Sequence, residues 1–317
     1  MSAFEPFSDV AELAEDLQSP DASVRRLAVI EIAETASDDA VPHLIAAIAD
    51  STAEVRLQAA RALGEFDGLA VAAALVHGVT DADADVASAA AESLAELRDS
   101  AADAALLPLV SHPSALVREA IFRALKELRS AAALGPAITA LQDSHPTVRV
   151  QAVGVIGYLK RNETLPSLIV AARDSDAQVR LAAINALSFA RNAIAAQAAS
   201  SALADDAWQV RAAAAETLGR IGETSAAAAV SATLDDSFWQ VRQKALQCLG
   251  KLKARDAVPA IIGVLDDPLP SLRKEAAAAL GDIGDISAQA SLAAHVADPD
   301  PDVRKTVTWA LGRLSAL

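Results

Sequence analysis

Residues 208–219 read Trp-Gln-Val-Arg-Ala-Ala-Ala-Ala-Glu-Thr-Leu-Gly, and residues 239–250, 31 positions further along, read Trp-Gln-Val-Arg-Gln-Lys-Ala-Leu-Gln-Cys-Leu-Gly. A Val-Arg pair followed by an Ala-rich apolar run recurs at this spacing through most of the 317 residues. The first residues of these pairs, taken here as anchors, are Val24, Val55, Val86, Val117, Val148, Val179, Val210, Val241, Leu272 and Val303. A strict period of this length is typical of stacked supersecondary units, each too small to bury its own apolar face.

The spacing of apolar residues within one repeat predicts a pair of helices. With the anchor as position 0, apolar residues recur at 0, +4, +5 and +8, which is one face of a helix, here called helix B. A second amphipathic segment precedes it, as in residues 258–265, with Pro259 in the first helical turn, and is called helix A. Residues 8–18 supply the leading A helix. The sequence therefore predicts an all-α, right-handed solenoid of about ten helical hairpins that forms one domain over residues 1–317.

The ends of helix B carry their own signals. Position −3 is usually a polar residue suited to an N-cap, and position +9 is often a glycine suited to leaving a helix through positive φ. The expected capping residues include Asp21, Asp83, Ser114, Asp176 and Asp300. The expected exit glycines are Gly64, Gly157, Gly219, Gly250, Gly281 and Gly312.

The pattern Asp-x-x-Val-Arg-x-x-Ala-x-x-x-Leu-Gly, which residues 176–187 and 210–219 follow well, resembles HEAT repeats. It is most similar to the short HEAT-like repeats of the phycobilisome-lyase type. The resemblance implies that B helices line the concave face and A helices the convex face. It also implies a ladder in which each Arg after the anchor pairs with an Asp at the neighbouring hairpin turn. Ala87 replaces that Arg in repeat three and Phe238 replaces the Asp in repeat eight, so we expect the ladder to be weakest there.

Composition disfavours several classes of protein. The formal net charge is −15, whereas a general nucleic-acid binder needs a basic surface for phosphate contacts. No apolar run approaches the ~20 residues that span a bilayer, and the first ten residues do not resemble a secretory signal. Cys248 is the single cysteine, which fits a reducing compartment. We therefore expect a cytoplasmic protein that binds neither nucleic acid nor membrane.

The sequence shows no recognisable catalytic or metal-binding constellation. None of its five histidines, His43, His77, His112, His145 and His295, falls in a metal-ligand spacing. The di-iron hydroxylases of HEAT fold, which this chain resembles in its repeats, use His-Glu pairs, and no His-Glu dipeptide occurs here. Cys248 lies in the apolar row of a B helix, which favours a core residue over a nucleophile. We expect no catalytic residue, metal or cofactor.

Position +10 forms a row whose chemistry changes along the chain. In order it holds Glu34, Glu65, Glu96, Glu127, Tyr158, Phe189, Arg220, Lys251, Asp282 and Arg313. A carboxylate at a helix C-terminus opposes the helix dipole and costs ~0.3–1 kcal/mol, so stability alone favours bases in this row. We interpret the +10 row as a partner-binding surface, with acids, aromatic anchors and bases in succession. The alternative is a solvated edge.

Tryptophan placement suggests a second surface. Trp208 and Trp239 both occupy position −2, at the turn from helix A to helix B, and Phe238 precedes the second of them. Trp is enriched at the energetic centres of interfaces, although each indole could instead pack over the neighbouring turn. Trp309, at +6 of the last B helix, is a further candidate on the expected concave side.

These features favour a non-catalytic adaptor or assembly factor that holds a protein partner, such as an enzyme or a cofactor-carrying subunit, in its concave groove. The alternative, which the resemblance alone implies, is a lyase-type subunit or a chaperone that handles a tetrapyrrole on a partner protein. Nucleic-acid binding, as in HEAT-like glycosylases, is disfavoured by the charge. The sequence leaves the oligomeric state open.

Overall fold

The computed structural model describes residues 10–315, and these residues contain twenty α-helices and no strand. The chain divides into two compact units at Leu159 and Lys160. The first unit contains α1 (Val10–Glu15), α2 (Ala22–Glu34), α3 (Val41–Ala47), α4 (Ala53–Leu63), α5 (Leu69–Val79), α6 (Ala84–Leu94), α7 (Asp103–Leu106), α8 (Ala115–Glu127), α9 (Leu134–Ala140) and α10 (Pro146–Leu159). The second contains α11 (Leu165–Ala171), α12 (Ala177–Ala186), α13 (Ala193–Ser201), α14 (Trp208–Ile221), α15 (Ala227–Ser231), α16 (Trp239–Leu252), α17 (Val258–Gly263), α18 (Pro270–Ile283), α19 (Gln289–Ala294) and α20 (Pro301–Ser315).

Odd-numbered helices are the short A helices and even-numbered helices the longer B helices, so each unit stacks five hairpins. Short 3-10 segments extend many A helices, such as Asp38–Ala40 before α3 and Leu107–Leu109 after α7. Part of the expected leading helix, residues 8 and 9, lies outside the described residues, and α1 with the 3-10 segment Asp16–Gln18 occupies the rest. The all-α, HEAT-like solenoid is confirmed; a single domain and a right-handed superhelix over the whole chain remain predictions.

The apolar face of helix B packs as its spacing predicts. Nine of the ten anchors are buried, the exception being Val24, which is 36% exposed. In α4 the +4, +5 and +8 residues Ala59, Ala60 and Leu63 are fully buried. Small Ala side chains at two of these four positions let neighbouring helices approach closely, so the core needs few aromatic residues.

The glycines at +9 do not leave the helix through positive φ, and that expectation is wrong. Gly64 has φ −66°, and Gly219 and Gly250 lie inside their helices. Four of them, Gly64, Gly219, Gly250 and Gly281, permit close packing instead; a Cβ on Gly219, for example, would lie 3.2 Å from the Cα of Cys248 in the next B helix. Positive φ comes three residues later, at +12, in Ala36, Arg129, Lys160, Gly222, Lys253 and Gly284.

A ladder of bidentate ion pairs joins successive B helices. In α4, Nε and Nη2 of Arg56 donate to the two carboxylate oxygens of Asp81 at 2.7 and 2.9 Å, and Nη1 donates to the backbone oxygen of Asp50 at 2.9 Å. Within the two units the rungs are Arg25–Asp50, Arg56–Asp81, Arg118–Asp143, Arg180–Asp205, Arg211–Asp236, Arg242–Asp267 and Arg273–Asp298. The expected ladder is confirmed.

The Asp of each rung stands at −5 and not at −3. The −3 residue caps its helix, as Asp176 does by accepting hydrogen bonds from the amides of Gln178 and Val179. Phe238 therefore replaces a cap and not a rung, and Asp236 still pairs with Arg211 at 2.6 Å. The rung formed by the arginine of repeat eight is nevertheless the longest of those given above, with Arg242 3.3 Å from Asp267. The buried Nε of Arg242 has no hydrogen-bond partner.

One rung is missing because both of its charged residues are replaced. Ala87 stands where the other repeats carry Arg, and His112, 25 residues later, stands where they carry Asp. The Nδ1 of His112 instead accepts a hydrogen bond from the backbone amide of Ser114 at 3.1 Å. Helices α6 and α8, which this rung would join, also pack more sparsely than the other neighbouring B helices of the first unit. The expected weak point at repeat three is confirmed.

Restoring the missing rung should stabilise the first unit. The double variant Ala87→Arg with His112→Asp is expected to raise the free energy of unfolding by about 1 kcal/mol, while each single change has little effect because it adds an unpaired charge. In the wild-type protein, hydrogen exchange should find residues 80–100 less protected than residues 205–220, and the double variant should narrow that gap. Equal protection of the two segments, or single variants as stable as the double, would contradict this.

The ladder should also set the acid stability. Hydrogen bonding to Arg56 holds the pKa of Asp81 below its ordinary value of 3.8, and Arg25 lowers the pKa of Asp50 in the same way. Because the folded-state pKa is lowered, this stabilisation is complete above about pH 4 and is lost as the pH falls through the lowered pKa. The Tm of the wild type should therefore drop steeply below about pH 4. The variant Arg56→Gln with Asp81→Asn should lose less Tm over the same range; equal losses would exclude this rung as a cause.

Candidate functional site

The four acids of the +10 row lie at the C-terminal ends of B helices in the first unit. Glu34, Glu65 and Glu96 are exposed and Glu127 is half-buried. Two of them have local ion pairs: Glu96 with Arg98 at 3.3 Å, and Glu127 with Lys126 at 3.0 Å.

Such exposed pairs contribute at most about 1 kcal/mol each. Part of the acidic character of the row is therefore offset by bases within two residues of the acids. Reading the row alone missed this, although both bases are visible in the sequence.

Tyr158 is the aromatic residue of the first unit's row. It lies near the end of α10, is 40% exposed, and has the guanidinium of Arg129 5.0 Å from its ring centroid. Arg129 follows α8 with φ 56°, which turns the chain there. Phe189 belongs to the second unit, where it ends the 3-10 segment after α12 and is half-buried. The two aromatic residues of the row thus differ in exposure and in setting.

Cross-helix polar contacts cover the B-helix face of the second unit. Glu216 in α14 pairs with Arg220 in its own helix and with Lys244 in α16 at 2.8 Å. The side-chain amides of Gln243 and Gln247 both donate to Glu275 in α18 at 3.2 Å. Arg220, Lys251 and Arg313 of the +10 row are exposed, whereas Asp282 is half-buried. These contacts fix side chains across three neighbouring helices and leave the bases of the row at its edge.

Trp309 stands on the B-helix face of α20. It is 44% exposed, and the guanidinium of Arg313 lies 5.5 Å from its ring centroid. Its ring packs against Gly281, where an added Cβ would come within 2.6 Å of it. A cavity of about 460 Å³ beside Arg313 is lined by Lys253, Arg255 and residues 281–284. The indole is thus fixed in place with much of its surface accessible.

Aromatic side chains gather at the A-to-B turns of repeats seven and eight. The rings of Trp208 and Phe238 stack with centroids 5.6 Å apart at 14°, and the Arg211 guanidinium lies 5.7 Å from the Phe238 ring. Trp208 is half-buried, but Phe238 and Trp239 are each 42% exposed. Leu269, which the sequence analysis did not single out, occupies the position of Phe238 in the next repeat and is 38% exposed. Trp208, Phe238, Trp239 and Leu269 are called the turn strip below.

Comparison with known families agrees with this architecture. The family model for HEAT repeats matches residues 10–95, 72–136, 134–219 and 226–312. The chain belongs to the HEAT-repeat family. The model for the PBS lyase HEAT-like repeat matches residues 210–236, so the resemblance seen in the sequence is confirmed. No curated protein sequence matches the chain.

Solved structures share the fold at low sequence identity. An engineered protein is 20% identical, with a TM-score of 0.55 over 96% of this chain and 98% of its own. Importin beta in an ammonium sulfate condition is 16% identical, with a TM-score of 0.60 over 97% of this chain and 55% of its own. The karyopherin Kap121p, bound to the extreme C-terminus of the protein phosphatase Cdc14p, is 15% identical, with a TM-score of 0.59 over 96% of this chain and 41% of its own. The chain thus spans only 55% and 41% of the lengths of importin beta and Kap121p, and the likeness concerns the fold.

Three successive HEAT repeats give up the helix cap that others keep. Ala207, Phe238 and Leu269 stand at −3, and none of them accepts a side-chain capping hydrogen bond, whereas Asp176 before them and Asp300 after them do. Ser114 and Thr52 also fail to cap, but they are polar. An N-cap contributes typically ~1 kcal/mol, so the turn strip reduces stability at each of its repeats. The stacked rings of Trp208 and Phe238 offset part of this cost in repeats seven and eight.

Cys248 is 1% exposed, and burial raises the pKa of its thiol to about 12, so it is a protonated core residue. Within residues 10–315, no three His, Cys, Asp or Glu side chains come together in an arrangement that would hold a metal ion. None of the helices in this range combines the length and the apolar character that a membrane crossing requires.

Proposed function

We propose that this HEAT-repeat protein is a non-catalytic adaptor that holds a protein partner on its B-helix face, the face predicted to be concave. The observation that carries the proposal is the presentation of Tyr158 and Trp309, each about two-fifths exposed and each beneath an arginine. Tyr and Trp are enriched at the energetic centres of interfaces, and an arginine over the ring reduces the freedom that binding would otherwise remove.

The charges of the +10 row indicate which charges the partner should carry. The first unit offers Glu34, Glu65, Glu96 and Glu127, and the second offers Arg220, Lys251 and Arg313. A partner with a basic region and an acidic region would fit, with apolar groups on Tyr158, Phe189 and Trp309. The karyopherin bound to a phosphatase C-terminus supports the view that a solenoid of this fold can hold a segment of another protein.

A lyase-type subunit that handles a tetrapyrrole on a partner protein remains the second candidate, because the PBS lyase HEAT-like model matches residues 210–236. Visible absorption separates the two. Protein purified from its native host should be colourless if it is an adaptor, and should carry a tetrapyrrole band if it handles such a cofactor.

The aromatic anchors should govern how long the complex lasts. Once a partner has been identified by co-purification, Tyr158→Ala and Trp309→Ala should each speed its dissociation by up to about 30-fold, which corresponds to ~2 kcal/mol, and should change association little. Surface plasmon resonance measures both rates. Leu116→Ala, which removes a 76% exposed leucine from α8, serves as the matched control and should leave them unchanged. Unchanged dissociation from both anchor variants would exclude the B-helix face.

Reversing the four acids tests the charge of the row. Changing Glu34, Glu65, Glu96 and Glu127 to Lys should slow association and flatten its salt dependence, since exposed charges act mainly on the encounter of two proteins. The fold should persist because bases suit helix C-termini and the two local ion pairs are weak. If the variant unfolds, the acids are structural. If it folds and binds with wild-type rates at all salt concentrations, the row is a solvated edge.

A further inference from the structure

The turn strip places apolar side chains at positions −3 and −2 of three consecutive hairpins in the second unit. Phe238, Trp239 and Leu269, in the second and third of these hairpins, are exposed by 42%, 42% and 38%, and Trp208 in the first is half-buried. Stacked helices are about 9–10 Å apart, so the strip extends for roughly 20 Å along the A-to-B turns. This surface is separate in sequence phase from the +10 row, because it lies at the start of the B helices and not at their end.

The strip is held rigidly from below. The Phe238 ring is contacted by the guanidinium of Arg211 and stacks with the indole of Trp208. The same guanidinium binds Asp236 at 2.6 and 2.9 Å. The turn of Leu269 is held by the longer rung from Arg242 to Asp267, at 3.3 Å, and by Nη1 of Arg273, which donates to the backbone oxygen of Asp267 at 2.9 Å. The apolar side chains therefore project from turns that the ladder fixes, although the helix caps at those turns are absent.

Acidic side chains flank the strip. Asp206, Asp235 and Asp266 are exposed, and each lies within three residues of a strip member. The side chain of Asp266 is 84% exposed and lies 3.3 Å from Nε2 of His295. An apolar strip with acids at its side is complementary to a segment that carries both apolar and basic residues.

Repeat eight also contains two of the three buried side-chain polar atoms without a hydrogen-bond partner in the described part of the chain. They are Oε1 of Gln240 and Nε of Arg242, one and three residues after Trp239. Such unpaired groups are uncommon in folded proteins and cost stability. Their position, together with the missing caps, indicates that this turn is not optimised for its own packing.

We propose that the turn strip docks a segment of a protein partner in polyproline II conformation, in which apolar residues three positions apart are separated by Lys or Arg. Such a segment advances about 3.1 Å per residue with three residues per turn, so residues three positions apart share one face at a distance close to the spacing of the turns. The segment would lay one of these residues on Phe238 and Trp239 and the next on Leu269, and its bases would face Asp206, Asp235 and Asp266. This surface operates independently of the B-helix face.

Selection from a phage-displayed library of random 16-residue peptides on the full-length protein tests this chemistry. Enriched peptides should carry Leu, Phe or other large apolar residues three positions apart, with Lys or Arg between or beside them. In ¹H–¹⁵N spectra, a selected synthetic peptide should shift the indole signals of Trp208 and Trp239 and leave that of Trp309 in place. Peptides without basic residues, or peptides that shift only Trp309, would overturn the proposal.

Variants that restore the helix cap separate binding from stability. Phe238→Asp with Leu269→Asp introduces the acid that other repeats use at −3, so Tm should stay within a few degrees of wild type or rise, while peptide affinity falls at least about tenfold. Leu116→Asp, which changes a 76% exposed leucine outside the strip, should leave affinity unchanged. Unaltered affinity in the double variant would overturn the proposal, and so would unfolding of the single variant Leu269→Asp, because the strip would then be part of the packing.

The acidic flank has its own test. Replacing Asp206, Asp235 and Asp266 together by Asn should lower the affinity for the selected peptide several-fold at low salt and remove most of its salt dependence. Salt dependence equal to that of the wild-type protein would show that the acids do not face the peptide's bases, and would reject the assigned chemistry of the segment.

Discussion

The bidentate pair between the Arg after each anchor and the Asp at the next turn is the constraint on which the repeat depends. One guanidinium binds the carboxylate of the following turn and the backbone oxygen six residues before itself, as Arg56 does with Asp81 and Asp50. Both side chains of this rung are only 18% and 10% exposed, so water competes weakly for the bonds. An insertion of one residue between the two partners would separate them. The ladder therefore favours a constant spacing, and the buried anchors Val86 and Val117 keep the 31-residue period where the rung between them is missing.

Much of the fold could be predicted because packing repeats with the period. The buried face of each B helix and the existence of the ladder follow from residues that recur at fixed positions. The role of the +9 glycines could not be read in this way, since a glycine needed for close approach looks the same as one needed for positive φ. The role of Gly219 becomes clear only from the distance between the place where its Cβ would lie and the Cα of Cys248, a residue of the next repeat. Likewise, only geometry distinguishes the Asp that caps a helix from the Asp two residues earlier that forms a rung.

The candidate surfaces were predicted less completely, and the reasons are local. Exposure of Glu34, Glu65 and Glu96 followed from their phase, but the ion pair of Glu96 and the arginine over Tyr158 depend on bases at +12, which the row did not include. Leu269 was missed because an aliphatic residue in an Ala- and Leu-rich chain gives no signal of exposure. The loss of the −3 acid in three successive repeats is the signal that could have identified it.

The two departures from the repeat have opposite character. At repeat three the ladder itself is interrupted, since Ala87 and His112 remove both charges of one rung, and no exposed aromatic residue accompanies the loss among the described residues of that hairpin. At the turns of repeats seven to nine the caps are lost but the rungs Arg180–Asp205, Arg211–Asp236 and Arg242–Asp267 persist, the last of them at 3.3 Å. A binding surface must be held by residues that are themselves fixed. The ladder supplies that support, because it anchors each turn independently of its cap. Positions −3 and −2 are thereby free to carry residues chosen for contact with another molecule.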